Sequence, residues 1–197
     1  MQKDIALIQE KAPGLKISLA GNHHPEIEKN LFDYCVDEQC KQQFTQEVID
    51  RRRAEGKKTT YYTCCSTHRP NTFTFSEPAE AEFLGWYAIR KGLDGYLRWA
   101  YNSWTEDPVS DSRFTAWSGG DTYIVYPEAR SSVRWERLIE GIQAFEKYHI
   151  LKEEAIRTNN TSSLSSLEAI IDLIDPEGLE AGADKMINKA KMQLNQL

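Results

Sequence analysis

Residues 59–101, TTYYTCCSTHRPNTFTFSEPAEAEFLGWYAIRKGLDGYLRWAY, decide the fold. The run opens with Thr59–Cys64, where β-branched and aromatic residues crowd into six positions of the kind that pack on a pleated surface. A long loop, Cys65–Phe75, follows. Ser76 is placed to cap a helix beginning near Glu77 and Pro78, because proline suits the first helical turn and acids suit the positive end of the helix dipole. Gly92 and Gly95 mark its exit, and Gly95–Tyr101 reads as a further strand. A strand, a covering helix and a strand in that order imply a right-handed crossover and parallel pairing.

The same alternation extends upstream. Residues 2–11 place Ile5, Leu7 and Ile8 in a short helical pattern that Pro13 and Gly14 terminate. Lys16–Ala20 reads as the first strand, with Ile17 and Leu19 alternating against Ser18 and Ala20, and the polar loop Gly21–Pro25 follows. Leu31–Val36 is the second strand and Lys41–Ala54 a helix, so Thr59–Cys64 and Gly95–Tyr101 are the third and fourth strands. Four such units make half of an eight-stranded barrel, giving an α/β class with a partial (β/α)8, TIM-type architecture. Chemistry in that architecture sits at the C-terminal strand ends, where Asn22, Asp37, Cys64 and Asn102–Trp104 fall. Thr105–Gly120 is a long loop carrying Phe114 and Trp117, and Asp121–Tyr126 reads as an aromatic strand. Val133–Leu151 is an amphipathic helix and Thr158–Ser166 a polar linker; helices over 164–174 and 179–194 close the chain.

Composition removes several function classes. A formal charge of −6 and a pI near 5.3 argue against a nucleic-acid partner. The only basic run, Arg51–Arg53 with Lys57 and Lys58, reads as a solvated helix end. No apolar stretch approaches the roughly 20 residues a bilayer span needs, so no membrane partner is expected. Met1–Glu10 lacks a signal peptide's layout: the chain as written reads as cytoplasmic, and as exported only if it is part of a longer precursor. Four cysteines are too few for a disulfide scaffold. Cys35 and Cys40 are close in sequence, whereas Cys64 and Cys65 on a strand point to opposite faces and cannot share one tetrahedral zinc. Neither metal nor cofactor is expected.

Sixteen of the 21 aromatic residues, including all five tryptophans, lie between Tyr61 and Trp135, many beside polar groups. Gly95–Trp104 combines two indoles with an arginine and an asparagine. Flat aromatic faces bordered by fixed donors and acceptors suit a sugar ring, whose C–H face stacks while its hydroxyls need hydrogen bonds.

Longer motifs sharpen this. Tyr62-Thr-Cys-Cys-Ser, Arg69-Pro-Asn-Thr-Phe-Thr-Phe-Ser, Ala79-Glu-Ala-Glu-Phe-Leu-Gly-Trp-Tyr, Asp94-Gly-Tyr-Leu-Arg-Trp-Ala-Tyr-Asn-Ser-Trp, Asp111-Ser-Arg-Phe and Gly120-Asp-Thr-Tyr-Ile-Val-Tyr-Pro resemble glycoside hydrolase family 123. The likeness extends back to Leu15-Lys-Ile-Ser-Leu-Ala-Gly-Asn and covers about residues 1–155. It implies an exo-acting β-N-acetylgalactosaminidase on a (β/α)8 barrel, in which the sugar's own 2-acetamido oxygen attacks the anomeric carbon. One carboxylate orients that group and its neighbour protonates the leaving oxygen. By collinearity the family's Asp-Glu pair belongs to a strand preceding Met1. The resemblance therefore makes residues 1–155 the second, C-terminal half of such a barrel, and 156–197 a linker with a helical appendage; no catalytic residue is assigned within the chain. Asp37-Glu38 ends a strand but matches no catalytic motif of the family. The alternative function is a non-catalytic carbohydrate-binding module or an inactive remnant.

Strand alternation and the resemblance nominate the sugar-facing residues. Ser18, Ala20 and Asn22 are expected on the barrel side of the first strand, Asp33 and Cys35 on that of the second, and Tyr96, Arg98, Ala100 and Asn102 on that of the fourth. Asp33 and Arg98 are then a candidate buried ion pair. Tyr62 and Cys64 share one face of the third strand, with Tyr61 and Thr63 the alternative set. Asn22, His23, Tyr62, Cys64, Arg98, Tyr101, Asn102, Trp104 and Asp121 are the candidate substrate-binding residues, for a terminal N-acetylhexosamine; Asp121 alternatively fixes the Gly119-Gly120 turn. Exposed barrel edges predict self-association.

Overall fold

The computed structural model describes residues 1–37, 45–65, 67–113, 117–179 and 182–197. Glu38, Cys40, Phe114 and the first residues of the expected Lys41–Ala54 helix lie outside them. The chain forms two compact units, one of residues 1–62 and 92–97, the other of residues 63–91 and 98–197.

The first unit is built on a four-stranded sheet in the order β1-β2-β3-β4, with β1 at Ser18–Gly21, β2 at Asp33–Asp37, β3 at Lys58–Thr63 and β4 at Tyr96–Arg98. β1 pairs with β2 and β2 with β3 in parallel, setting Ser18 beside Asp33 and Cys35 beside Thr60. Helix α1 spans Gln2–Lys11, the short α2 Pro25–Glu28, and α3 Gln46–Ala54, capped by the Thr45 hydroxyl.

The two sheet faces differ as alternation requires. Ser18 donates to Asp33 Oδ2 at 2.9 Å and Thr60 to Asp33 Oδ1 at 2.9 Å, which places all three on one face. The other carries Tyr34, Thr59 and Tyr61, all buried, against α3. Arg52 of α3 lies wholly buried there, donating to Thr59 Oγ1 at 3.1 Å and to the carbonyls of Glu28 at 3.0 Å and Lys58 at 2.8 Å. The basic run is therefore not a solvated helix end. Arg51 pairs with Glu28, and Arg53 binds the Gly92 carbonyl and lies 3.4 Å from Asp94. Internal carbonyls and carboxylates absorb these cations because β strands and loops leave backbone acceptors in reach of α3.

β4 departs from expectation in length and parity. It ends at Arg98 rather than Tyr101, and the Tyr96 ring lies 5.1 Å from that of Tyr61. Tyr96 thus sits with Tyr61 rather than on the Asp33 face, because its ring packs against that buried aromatic.

The second unit is organised around α4, Pro78–Arg90, whose residues from Glu80 to Ile89 are all buried. Such a helix must be covered all round, and α5 (Val133–Arg157), α6 (Thr161–Asp172) and α7 (Ala183–Leu194) pack against it. Ser76 does not cap α4. Its hydroxyl donates to Asn71 Oδ1 at 2.5 Å, and Glu77 takes the cap position without a side-chain bond. The expected linker 158–166 is mostly helix, since Asn160 Oδ1 accepts from the Ser163 N–H at 3.0 Å and starts α6 at Thr161. Asp121–Tyr126 is not a strand: Tyr123 bridges Asn102 and Tyr126 bridges Arg130 singly, and Pro127 permits no longer ladder. Among the described residues no helix is long and apolar enough to cross a membrane.

Candidate functional site

Three candidates belong to the first unit. Asn22 follows β1 and is exposed, its carbonyl accepting from the Tyr34 hydroxyl at 2.6 Å. His23 is half-buried, with Nε2 3.4 Å from Glu28 Oε2 and its ring 5.9 Å from that of Tyr34. Tyr62 is half-buried and pairs in register with the buried Asp37, so it shares the face of Asp33 and Cys35, opposite Tyr61. Burial pushes the Cys35 thiol up to about 12, so it is a protonated thiol at neutral pH.

The second unit gathers the rest. Cys64 lies past β3 in a turn closed by its N–H to Thr67 Oγ1 at 3.0 Å. Residues 98–104 run beside residues 121–125, tied by Ser103 N–H to the Thr122 carbonyl at 3.0 Å, Thr122 Oγ1 to the Ser103 carbonyl at 2.7 Å and Ile124 N–H to the Tyr101 carbonyl at 3.0 Å. Asn102, exposed, bridges Tyr123. The Trp104 indole N–H donates to the Val125 carbonyl at 2.8 Å, and the Trp99 indole N–H to Asp121 Oδ1 at 3.1 Å. Both rings are held by one edge, yet each stays 39% exposed, as does Trp117, whose ring lies 5.8 Å from that of Trp99. Tyr101 is 48% exposed, its ring 6.3 Å from that of Trp135. An indole tethered through its N–H with its face in solvent is a ready stacking surface.

Arg98 does not pair with Asp33. Its guanidinium donates to the Asp121 carbonyl and lies 3.6 Å from Asp121 Oδ1, while Asp33 is satisfied by Ser18 and Thr60. A hydroxyl pair across adjacent strands suffices for a carboxylate that is only half-buried. Asp121 is completely buried, and burial raises its carboxyl above the usual carboxylate range against the opposing pull of Trp99 and Arg98.

The residue missed in the sequence is Arg134. It stands on the first turn of α5, buried, with Nη1 donating to the carbonyls of Thr72 at 2.7 Å, Gly120 at 2.8 Å and Tyr123 at 2.8 Å. A Cβ on Gly120, whose φ is 79°, would stand 2.6 Å from that nitrogen, so glycine is required twice over at this turn. An arginine near a helix N-terminus runs against the helix dipole. That mismatch was the available signal that its charge is used elsewhere.

The chain matches the family model described as glycoside hydrolase 123, catalytic domain, over residues 1–151. Among solved structures it is similar to one described as giving the details of glycolipid glycan hydrolysis by a family 123 glycoside hydrolase from Clostridium perfringens, with 24% identity and a TM-score of 0.76. The likeness covers 99% of this chain and 38% of that one, and at this identity it bears on the fold. No curated protein matches the chain.

Proposed function

Because the chain belongs to glycoside hydrolase family 123, we propose that it is the C-terminal portion of a glycosidase acting on terminal β-linked N-acetylgalactosamine. In this reading the parallel sheet with its helices is the second half of a (β/α)8 barrel. The substrate's acetamide serves as nucleophile, and the acid pair that orients it and protonates the leaving oxygen is expected upstream of residue 1. The chain supplies the sugar-binding surface. The observation that carries the reading is the set of tryptophans, Trp99 and Trp104 foremost, tied through their indole N–H groups while each stays 39% exposed. Within the second unit, Cys64, Arg98, Tyr101, Asn102, Trp104 and Asp121 are the proposed sugar-site residues, with Arg98 and Asp121 acting from beneath; Asn22, His23 and Tyr62 are proposed separately as sugar contacts of the first unit. Among the described residues β1 and β4 end the sheet order, and strands at the ends of a sheet offer edges for self-association.

A second reading, a carbohydrate-binding module without hydrolysis, is favoured by the aromatic surface lying within one compact unit. The two separate in an assay with an aryl β-N-acetylgalactosaminide. The 197-residue chain is expected to bind the sugar without turnover, and turnover is expected only when it is joined to a segment bearing the acid pair. Turnover by the chain alone that vanishes on Asp37→Ala overturns the assignment of the acids; a joined protein that binds but never hydrolyses favours the module.

A further inference from the structure

An indole on a protein surface has two torsions with which to choose its orientation, and a sugar stacks only if the ring waits in place. Among the described residues, the polar contact that fixes Trp99 is Nε1–H to Asp121 Oδ1 at 3.1 Å. The acceptor is itself immobile: Asp121 N–H donates to the Ser118 carbonyl at 3.0 Å, its carbonyl takes the Arg98 guanidinium, and Arg134 clamps the carbonyls of Gly120 and Tyr123 on either side. The carboxylate is not oriented for its own stability. A buried aspartate beside an arginine is best served by a two-point fork, yet the guanidinium is 3.6 Å from Oδ1, while Oδ2 and Arg98 Nε are both buried without a hydrogen-bond partner among the described residues. Buried orphans of this kind call for a reason. The oxygen nearest the guanidinium, Oδ1, is the one that holds the indole, and that indole stands 5.8 Å from Trp117, inclined at 59°, with both rings 39% exposed.

We propose that Asp121 is the positioning residue of this site, fixing the Trp99 edge so that its open face, flanked by Trp117, receives the C–H face of a sugar ring. The proposal rests on the carbohydrate reading above, and two readouts on the 197-residue chain separate their failures. Hydrogen exchange at the Trp99 indole N–H reports positioning without any ligand. Titration with methyl β-N-acetylgalactosaminide, followed by tryptophan fluorescence, reports binding.

Asp121→Asn keeps an oxygen acceptor, so the indole N–H stays protected and affinity stays close to that of the wild type. Asp121→Leu frees the indole, speeds its exchange and lowers affinity roughly tenfold, the scale of one well-placed aromatic contact. Trp99→Phe, which keeps a ring but loses the donor, lowers affinity similarly, and adding Asp121→Leu to it lowers affinity no further. Should the leucine variant fail to fold, Asp121→Ser, too short to reach the indole, carries the same expectation. Unchanged exchange in either variant overturns the proposal, as does wild-type affinity in a folded Asp121→Leu chain whose Trp99→Phe counterpart has lost it. A wild-type chain that binds no sugar overturns the carbohydrate reading instead, and exchange then decides the positioning role alone.

Discussion

Arg134 shows how one side chain can organise a surface it does not join. Its Nη1 takes three carbonyls from two loop segments, at Thr72, Gly120 and Tyr123, and its guanidinium lies 5.6 Å from the Tyr123 ring centroid. The three carbonyls belong to buried residues, so removing the guanidinium takes the donor from three buried acceptors. Arg134→Ala is expected to cost about 2–4 kcal/mol, since a charged donor contributes more than a neutral one and orphaned acceptors carry their full desolvation penalty. Chemical denaturation followed by tryptophan fluorescence measures it. A loss below about 0.5 kcal/mol, the range of an ordinary surface change, would mean that the loops hold themselves.

At the scale of elements, the crossing of α4 and α5 is set by two glycines. A Cβ on Gly85 would overlap the Gly141 backbone carbonyl, and one on Gly141 would stand against the Glu82 carbonyl. The backbones meet directly, so no side-chain rotamer can relieve an added methyl. Gly85→Ala and Gly141→Ala are each expected to destabilise by about 3 kcal/mol or more, at or above the upper end for overpacking, despite alanine's better helix propensity. A thermal midpoint equal to wild type in either variant would refute the close approach. Apart from the short α2, for which the sequence reading had only a polar loop, the order of strands and helices through residue 101 was legible in the sequence, because alternating apolar residues, glycine exits and the Pro78 start are local signals. What failed was ambiguous locally. Asn160, Ser162 and Ser163 read as linker, yet the same small polar residues are what a helix start requires; Asp121–Tyr126 had strand composition, but only its tertiary partners reveal isolated bridges. Of the site, the tryptophans were conspicuous. The partner of Arg98 was not, because Asp121 lies 23 residues away and no spacing rule links a strand end to a turn.

Across the whole molecule, the titration of buried carboxyls sets where stability peaks. Burial raises the carboxyls of Glu80, Glu82 and Asp121 above the ordinary range. Glu82 keeps this direction although Lys191 lies 2.8 Å and Arg137 3.2 Å away, whereas its more exposed neighbour Glu140 is lowered by the bond from Lys191. A carboxyl raised in the folded state contributes stability that is fully present below its ordinary pKa and is lost as pH climbs through the folded value. Asp111, exposed and held down to about 2 by Arg113, works in the opposite sense: its contribution is present above the ordinary carboxylate pKa and is lost as pH falls toward about 2. The two groups act in different windows, the exposed one below about pH 4 and the buried ones above it. Stability is therefore expected to peak near pH 5 rather than at neutrality. Each tenfold difference in proton affinity between the folded and unfolded states is worth about 1.4 kcal/mol, or a few degrees of midpoint for a chain of this size. All five tryptophans lie in the second unit, as do Glu80, Glu82 and Asp121, so their fluorescence follows the relevant unfolding alone. The midpoint should fall as pH climbs above the ordinary carboxylate range, and Glu82→Gln should flatten that fall, because a neutral amide has no charge to desolvate. A midpoint rising steadily from pH 5 to 8 would show that the cations beside these carboxylates, not their burial, govern their ionisation.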